Sequence, residues 1–450
     1  MTPSRPPQSL PASLSATSGP SRRNILRAAG LGGLVLGSSS LLAACGGSDA
    51  PATGGTTTAA GGGGGPVKFG VNEARGSGPA FTRLEAMANT YAEQTGSEVS
   101  LNAVDHNTFQ ESINTYLQGT PDDVFTWFAG YRMAQFAENG LLADISDVWP
   151  IDGLGDAFRE ASTAPDGKQY FVPVSYYPWA VFYRKSVFEE NGFTVPESYD
   201  DFTTLMADMQ GAGITPFAFA AKDAWAPMGT FDILNMRING FDFHMALTRG
   251  EESWDSPQVK SVFETWRELL PFHQEAPLGR TWQEAATAMG TGECGMYLLG
   301  TFVVDAIPDV GDDLDFFTFP ELDAAIGSDA LDAPIDGFCV AAGGQDVEAG
   351  KAFAAWLGTA EAADAANAAA EAPFIAANEG ASTDSYSDLQ KKSVEVVQQA
   401  GSIAQFLDRD TNADLANTVI APAIGEFLQN PDDIDSILKS IADQAQSILG

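Results

Sequence analysis

The densest run of groups able to do chemistry is Asp408-Arg409-Asp410-Thr411-Asn412-Ala413-Asp414. It starts like a calcium loop, in which carboxylates at alternate positions surround one ion. The sixth position, where the sharp turn calls for glycine, is Ala413, and the closing glutamate of the pattern is replaced by Val419. A turn that caps the next helix and a turn that touches a ligand both fit the run better than a calcium site. Other chemistry-bearing types are sparse. The three histidines, His106, His244 and His273, fall in no HExxH or Cys/His spacing, so no metal and no other cofactor is expected. No GxSxG elbow, P-loop or GxGxxG occurs, so no catalytic residue is assigned and no enzyme is expected. Carboxylate pairs such as Asp122-Asp123 and Asp432-Asp433 are unremarkable among 60 acids and carry no weight for glycosidase chemistry.

Aromatic residues form the second informative set. Trp127-Phe128, Tyr176-Tyr177-Pro178-Trp179, Trp225, Trp282 and Phe302 fall in loops rather than at core spacing. Ligands in open α/β sheets bind beyond the carboxyl ends of strands, where such loops lie. Aromatic faces suit the C–H faces of sugar rings, while Asp, Asn and Arg suit hydroxyl groups. The same acids and aromatic boxes would also suit a cationic amine.

These residues need a scaffold, and strands alternating with helices supply it. Val67–Val71, Val99–Val104 and Asp123–Phe128 read as strands, separated by helical 3–4 patterns over Phe81–Gln94 and Phe109–Leu117. Met133–Glu138 is a further helix, and Gln169–Val174 and Ala180–Tyr183 are strands either side of an aromatic, proline-containing joint. Later helices are expected at Tyr199–Gln210, Pro257–Leu270, Ala349–Leu357, Ser387–Gln399, Leu415–Leu428 and Ile434–Leu449. The alternation argues for an α/β fold with helices on both sheet faces.

The first 66 residues stand apart. Ser21-Arg22-Arg23-Asn24-Ile25-Leu26-Arg27, an apolar small-residue run and Leu42-Ala43-Ala44-Cys45 read as a twin-arginine export signal ending in a lipobox over residues 1–44. Residues 45–66 follow as a lipidated Cys45 and a Gly/Thr/Ala linker, flexible coil by composition. The expected location is the outer face of the cytoplasmic membrane, held by the lipid anchor alone. Residues 1–44 carry four Arg and no acid, so the remainder sets 19 bases against 60 acids, a net of −41. Such a charge excludes non-specific binding to nucleic acid and attraction to anionic lipid. Without Cys45, the cysteines reduce to the pair Cys294 and Cys339, a possible disulfide in an oxidising compartment.

Several segments, in order, resemble the family 1 extracellular solute-binding proteins, the sugar-binding lipoproteins of ATP-binding-cassette importers. Pro121-Asp122-Asp123-Val124-Phe125-Thr126-Trp127 resembles the family's Pro-Asp-Val-Phe-x-Trp segment with one extra Asp. Asn139-Gly140-Leu141-Leu142-Ala143-Asp144 and Asp166-Gly167-Lys168-Gln169-Tyr170-Phe171-Val172-Pro173 are similar to two further family segments. Trp179 to Arg184 with Phe188 and Gly192 matches a fourth, departing at Arg184, where Asn is commoner. Gly292 to Phe302 resembles a fifth, with Phe302 in place of Trp.

The resemblance implies two α/β lobes of the periplasmic-binding-protein type, with a ligand cleft between them and crossing segments as hinges. Lobe 1 is then expected at 67–176 plus 338–360, and lobe 2 at 177–337 plus 361–450. Crossings are expected near Ser175 to Tyr177, Asp336 to Ala341 and Gly358 to Ala368, which would put Cys294 and Cys339 near the hinge. Ligand contacts carried over by position are Asn72, Glu73, Asn107, Trp127, Tyr177, Trp179, Trp225, Phe302, Asp336, Gly337, Phe338, Asp408, Arg409 and Asp410. The implied role is a monomeric receptor that captures a mono- or oligosaccharide and passes it to an ATP-binding-cassette permease. A polyamine, osmolyte or peptide receptor of the same architecture is the alternative, and a secreted glycosidase the remote one.

Overall fold

The computed structural model describes residues 66–370 and 372–449. The export signal, Cys45 and the glycine run up to residue 65 lie outside the described residues.

Five strands make the first sheet, in the order Val99–Ala103, Val67–Val71, Val124–Phe128, Ile335–Val340, Val172–Tyr176. The first three are parallel, and Ile335–Val340 runs antiparallel to both of its neighbours. Period-two alternation sends Phe69, Val124 and Phe338 into one core and Phe125, Trp127 and Cys339 into another on the opposite face. Helix Pro79–Thr95 buries Phe81, Met87, Ala88 and Tyr91 against that sheet and ends at Gly96, whose φ of 74° is one glycine adopts without strain. Helix His106–Gln118 is started by Asp105, which accepts from Thr108 N.

A second sheet has the order Thr215–Phe217, Cys294–Gly300, Trp179–Arg184, Leu314–Phe317. Its core gathers Phe182, Phe202, Phe231, Trp254, Phe263, Trp266 and Phe427. The molecule is two-lobed, each lobe with its own sheet and core. A short parallel ribbon, Ala330–Asp332 with Ser402–Ala404, lies between the second sheet and the return into the first.

Among the described residues, the chain passes between the sheets three times. The first passage is Tyr177-Pro178, between strands of different sheets. The second was expected at 336–341, but Ile335 already pairs with Tyr176 in the first sheet, which leaves Ala333-Pro334 as the link. The ladder is bulged between Asp336 and Gly337. Gly337 is required at that point: a Cβ would lie 2.1 Å from Val172 O. The third passage also lies later than expected. Ala360–Ala369 packs along Pro79–Thr95, and Ala376 N still bonds Tyr386 Oη. The second lobe resumes with helix Asp388–Gln399, where Leu389 enters its core and Lys392 bonds Asp315 at 2.7 Å.

The cysteine pair is not bridged. Cys294 and Cys339 are both free and buried, on strands of different sheets and in different cores. Both behave as small apolar side chains, and burial raises both thiol pKa values, Cys294 to about 12.

Candidate ligand-binding site

A cavity of about 380 Å³ lies between the lobes. The carboxyl ends of the parallel strands and the bulged start of Ile335–Val340 supply one wall. From them come Asn72 and Glu73, His106 at the first turn of its helix, Phe128 and Asp336. The second lobe supplies Trp179, Trp225, Trp282, Thr301, Phe302 and Phe406. One side is thus polar and the other aromatic.

The aromatic side is a packed cluster around Phe302. Its ring centroid lies 5.2 Å from Trp282, 5.3 Å from Tyr177, 6.0 Å from Trp225 and 6.3 Å from Trp179, all steeply inclined. Edge-to-face contact fixes such rings without using their outer faces. Trp179 in turn stacks on Phe406 at 4.7 Å and sits over Gly229, where a Cβ would come within 2.3 Å of the indole. Phe406 has φ of 137°, a strained value for a residue with a side chain. The strain is held by Asp410 Oδ2, which accepts from Gln405 N at 2.7 Å and Phe406 N at 3.3 Å.

Carboxylates on the polar side are matched by arginines. Asp336 Oδ1 accepts from Arg409 Nη1 at 2.8 Å, and Arg409 Nη2 donates to Tyr177 Oη at 3.0 Å. The Arg409 guanidinium also covers the Phe128 ring at 4.0 Å. Asp408 Oδ2 accepts from the fully buried Arg132 at 3.1 Å, and Arg132 donates to Gln110 Oε1 at 2.7 Å. Across the mouth, Arg83 of the first lobe meets Asp305 of the second at 2.9 Å. Among the described residues, Glu73 has only Ser77 Oγ as a side-chain partner, at 3.3 Å. Burial pushes its carboxyl pKa up to about 7, partly offset by that hydrogen bond. Burial lowers the His106 pKa, so the ring is neutral, held between Asn72 and Gln110 at 3.3 and 2.7 Å.

Of the residues expected from sequence, Asn72, Glu73, Trp127, Tyr177, Trp179, Trp225, Phe302, Asp336, Gly337, Phe338, Asp408 and Arg409 border this cavity. Trp127 and Phe338 do so from behind, each 1% exposed, with Arg132 lying over Trp127 at 5.0 Å. Two expected residues lie off the cavity. Asn107 instead donates to Asp223 Oδ1 at 2.9 Å, bridging the lobes. Asp410 faces the backbone of its own turn, and burial raises its pKa to about 6. With Asp408 on Arg132, Asp410 on backbone N–H groups and Asn412 capping Asp414 N, the run does not converge on a cation.

Sequence reasoning missed Arg83, His106, Gln110, Asp305 and Phe406 as lining residues. His106 is one residue from Asn107, and the cap Asp105 sets which of the two opens the helix toward the cavity.

A model of the family described as bacterial extracellular solute-binding protein matches residues 76–364. An uncharacterized ABC transporter extracellular-binding protein of Pyrococcus horikoshii is 25% identical over 282 residues, covering 61% of this chain and 62% of that protein. The chain thus spans about three-fifths of the length of that curated relative. Among solved structures, the bacterial solute receptor AcbH, described as having an exclusive preference for β-D-galactopyranose, is 42% identical with a TM-score of 0.83. That match covers 86% of this chain and all of AcbH. A chitin oligosaccharide binding protein shares the fold at 22% identity and a TM-score of 0.74, over 84% of this chain and 98% of that one.

Proposed function

The chain belongs to the bacterial extracellular solute-binding proteins, and we propose that it is the carbohydrate receptor of an ATP-binding-cassette importer. The observation that carries this reading is the pairing in the cavity. Asp305, Asp336 and Asp408 each face an arginine in a cavity that has one aromatic wall. A cationic amine needs carboxylates free to neutralise it. A neutral polyhydroxyl ring needs acceptors and donors side by side, with apolar faces for its C–H surfaces. A cavity of about 380 Å³ suits a mono- or short oligosaccharide, and a hexopyranose is the first candidate because AcbH prefers β-D-galactopyranose.

Capture follows from the two-lobed form. The ligand contacts both lobes, binds the closed arrangement better, and so shifts the hinge equilibrium toward it. No covalent step is involved. Affinity in the micromolar range corresponds to about −8 kcal/mol, which a few stacked rings and charge-assisted hydrogen bonds can supply. As an exported protein, anchored through Cys45 and monomeric, it would hand the closed complex to a permease nearby.

Calorimetry against a panel of hexoses, pentoses and short oligosaccharides, with spermidine and betaine beside them, tests the reading. Saturable binding of a sugar supports it. Binding of an amine and of no sugar overturns it in favour of the same architecture serving a cationic solute.

A further inference from the structure

Away from the cavity, the second lobe buries a polar cluster that ligand capture does not use. Asp232 on helix Met228–Asn239, His244 on helix Phe241–Thr248 and Asp332 on strand Ala330–Asp332 bring one donor atom each within 4.8 Å of one another. All three residues are 0% exposed. His244 Nε2 stands 4.0 Å from Asp232 Oδ1. Neither atom, nor either oxygen of Asp332, has a hydrogen-bond partner among the described residues. The remaining oxygen, Asp232 Oδ2, accepts from Leu407 N at 2.7 Å. The nearby Arg237 guanidinium gives Nε to Phe319 O and Nη1 to Ala330 O. Two desolvated carboxyl groups facing each other and an unpartnered imidazole nitrogen are costly unless something neutralises them.

We propose that Asp232, His244 and Asp332 bind one divalent cation of the zinc or manganese type through a carboxylate oxygen from each Asp and Nε2 of His244. The two carboxylates offer negative charge to a divalent ion, part of it already offset by the Arg237 guanidinium beside Asp332. With ligand bonds of about 2.0–2.2 Å, donors around a tetrahedral ion stand about 3.4 Å apart, so the 4.0 Å between His244 and Asp232 must shorten by about half an ångström as the ion enters. Mixed oxygen and imidazole donors suit zinc or manganese better than calcium or magnesium, which take oxygen. His244 is fully buried and directs Nε2 toward the carboxylates. The Asn235 side chain lies 3.1 Å from Nδ1. The facing atom is the amide Nδ2, since Asn235 Oδ1 accepts from Asn239 Nδ2 at 2.8 Å, so a metal on Nε2 requires this amide to turn and bring its oxygen to Nδ1. Through Asp232 and Leu407 N, the ion would anchor the turn that carries Asp408 and Arg409 into the cavity.

The rival arrangement is a single proton shared by the two carboxyl groups, and metal analysis separates them. The purified protein is stripped with EDTA, exposed to zinc or manganese alone, desalted, and assayed for metal by mass spectrometry and for its melting temperature. About one retained equivalent per chain and a melting temperature several degrees higher are expected. His244→Gln and Asp332→Asn should each weaken retention at least tenfold. Wild-type protein that retains no metal and melts identically with or without it overturns the proposal, as does full retention by folded variants. If a variant fails to fold, the anomalous signal of zinc in wild-type crystals decides, since density away from these three side chains also overturns it.

Discussion

Arg409 ties three other residues of the cavity together. Its fork holds Asp336 and Tyr177 at once while its flat face covers Phe128. Lysine keeps the charge but has neither the fork nor the planar face. Arg409→Lys is therefore expected to weaken sugar binding at least tenfold, about 1.4 kcal/mol, while the protein still melts cooperatively. Calorimetry and a thermal melt check both halves, and unchanged affinity would reduce Arg409 to a packing role. Glu73 carries a different signature. Its carboxyl is raised from 4.5 to about 7 in the folded state, so the folded protein holds that proton more tightly than the unfolded chain. The stability this confers is full below about pH 4.5 and is lost as pH rises through about 7. Glu73→Gln should flatten that part of the profile, seen as a smaller fall in melting temperature between acid and neutral pH than in wild type.

At the scale of elements, the cavity is a meeting of strand ends, and its closure depends on a contact between helices. Arg83 on Pro79–Thr95 reaches Asp305 on Val303–Ala306 from the other lobe, both side chains about one-eighth exposed. In the proposed hinge motion a pair that spans the lobes would favour the closed arrangement. Arg83→Gln or Asp305→Asn should weaken binding about fivefold to tenfold, roughly 1 kcal/mol, chiefly by faster dissociation. The double variant should cost little more than either single one, and stopped-flow dissociation rates over the four proteins measure that coupling. Additive losses would mean the two residues act separately. Amphipathic helices such as Ile434–Leu449 were legible in the sequence at their observed bounds. Helix Met228–Asn239 was not, because residues 228–237 are all buried and a helix without a solvent face has no apolar stripe to read. The helix expected over 415–428 contains a π turn at Ala416–Ile420, next to Pro422, which has no N–H to give Thr418 O. Residues that border the cavity could be found because aromatics and Asp408-Arg409 stand out in a chain, although Trp127, Phe128 and Trp179 lie on strands rather than in the expected loops; Phe406 could not, because nothing in its type announces a positive φ.

For the whole molecule, the largest physical fact is its charge, −37 over the full chain. A field of that size acts on ligands before they touch the protein. It extends about 30 Å in 0.01 M salt and about 10 Å in 0.1 M, and raises the association rate of an oppositely charged ligand by 10-fold to 1000-fold when unscreened. A neutral sugar feels none of this. The Arg–Asp pairs lining the cavity are likewise satisfied within the protein, so a neutral ligand that binds beside them releases no counterions. The association rate and affinity for a sugar should therefore stay within about twofold from 0.01 M to 0.3 M salt, a range over which the screening length shrinks severalfold. Stopped-flow tryptophan fluorescence suits the measurement, since Trp179, Trp225 and Trp282 line the cavity. A steep fall with salt would show that the acidic surface recruits the ligand, and would move the identification from a carbohydrate to a cation. A flat profile would leave the acids to solubility and to repulsion of the anionic lipid beside which a protein tethered at Cys45 would work.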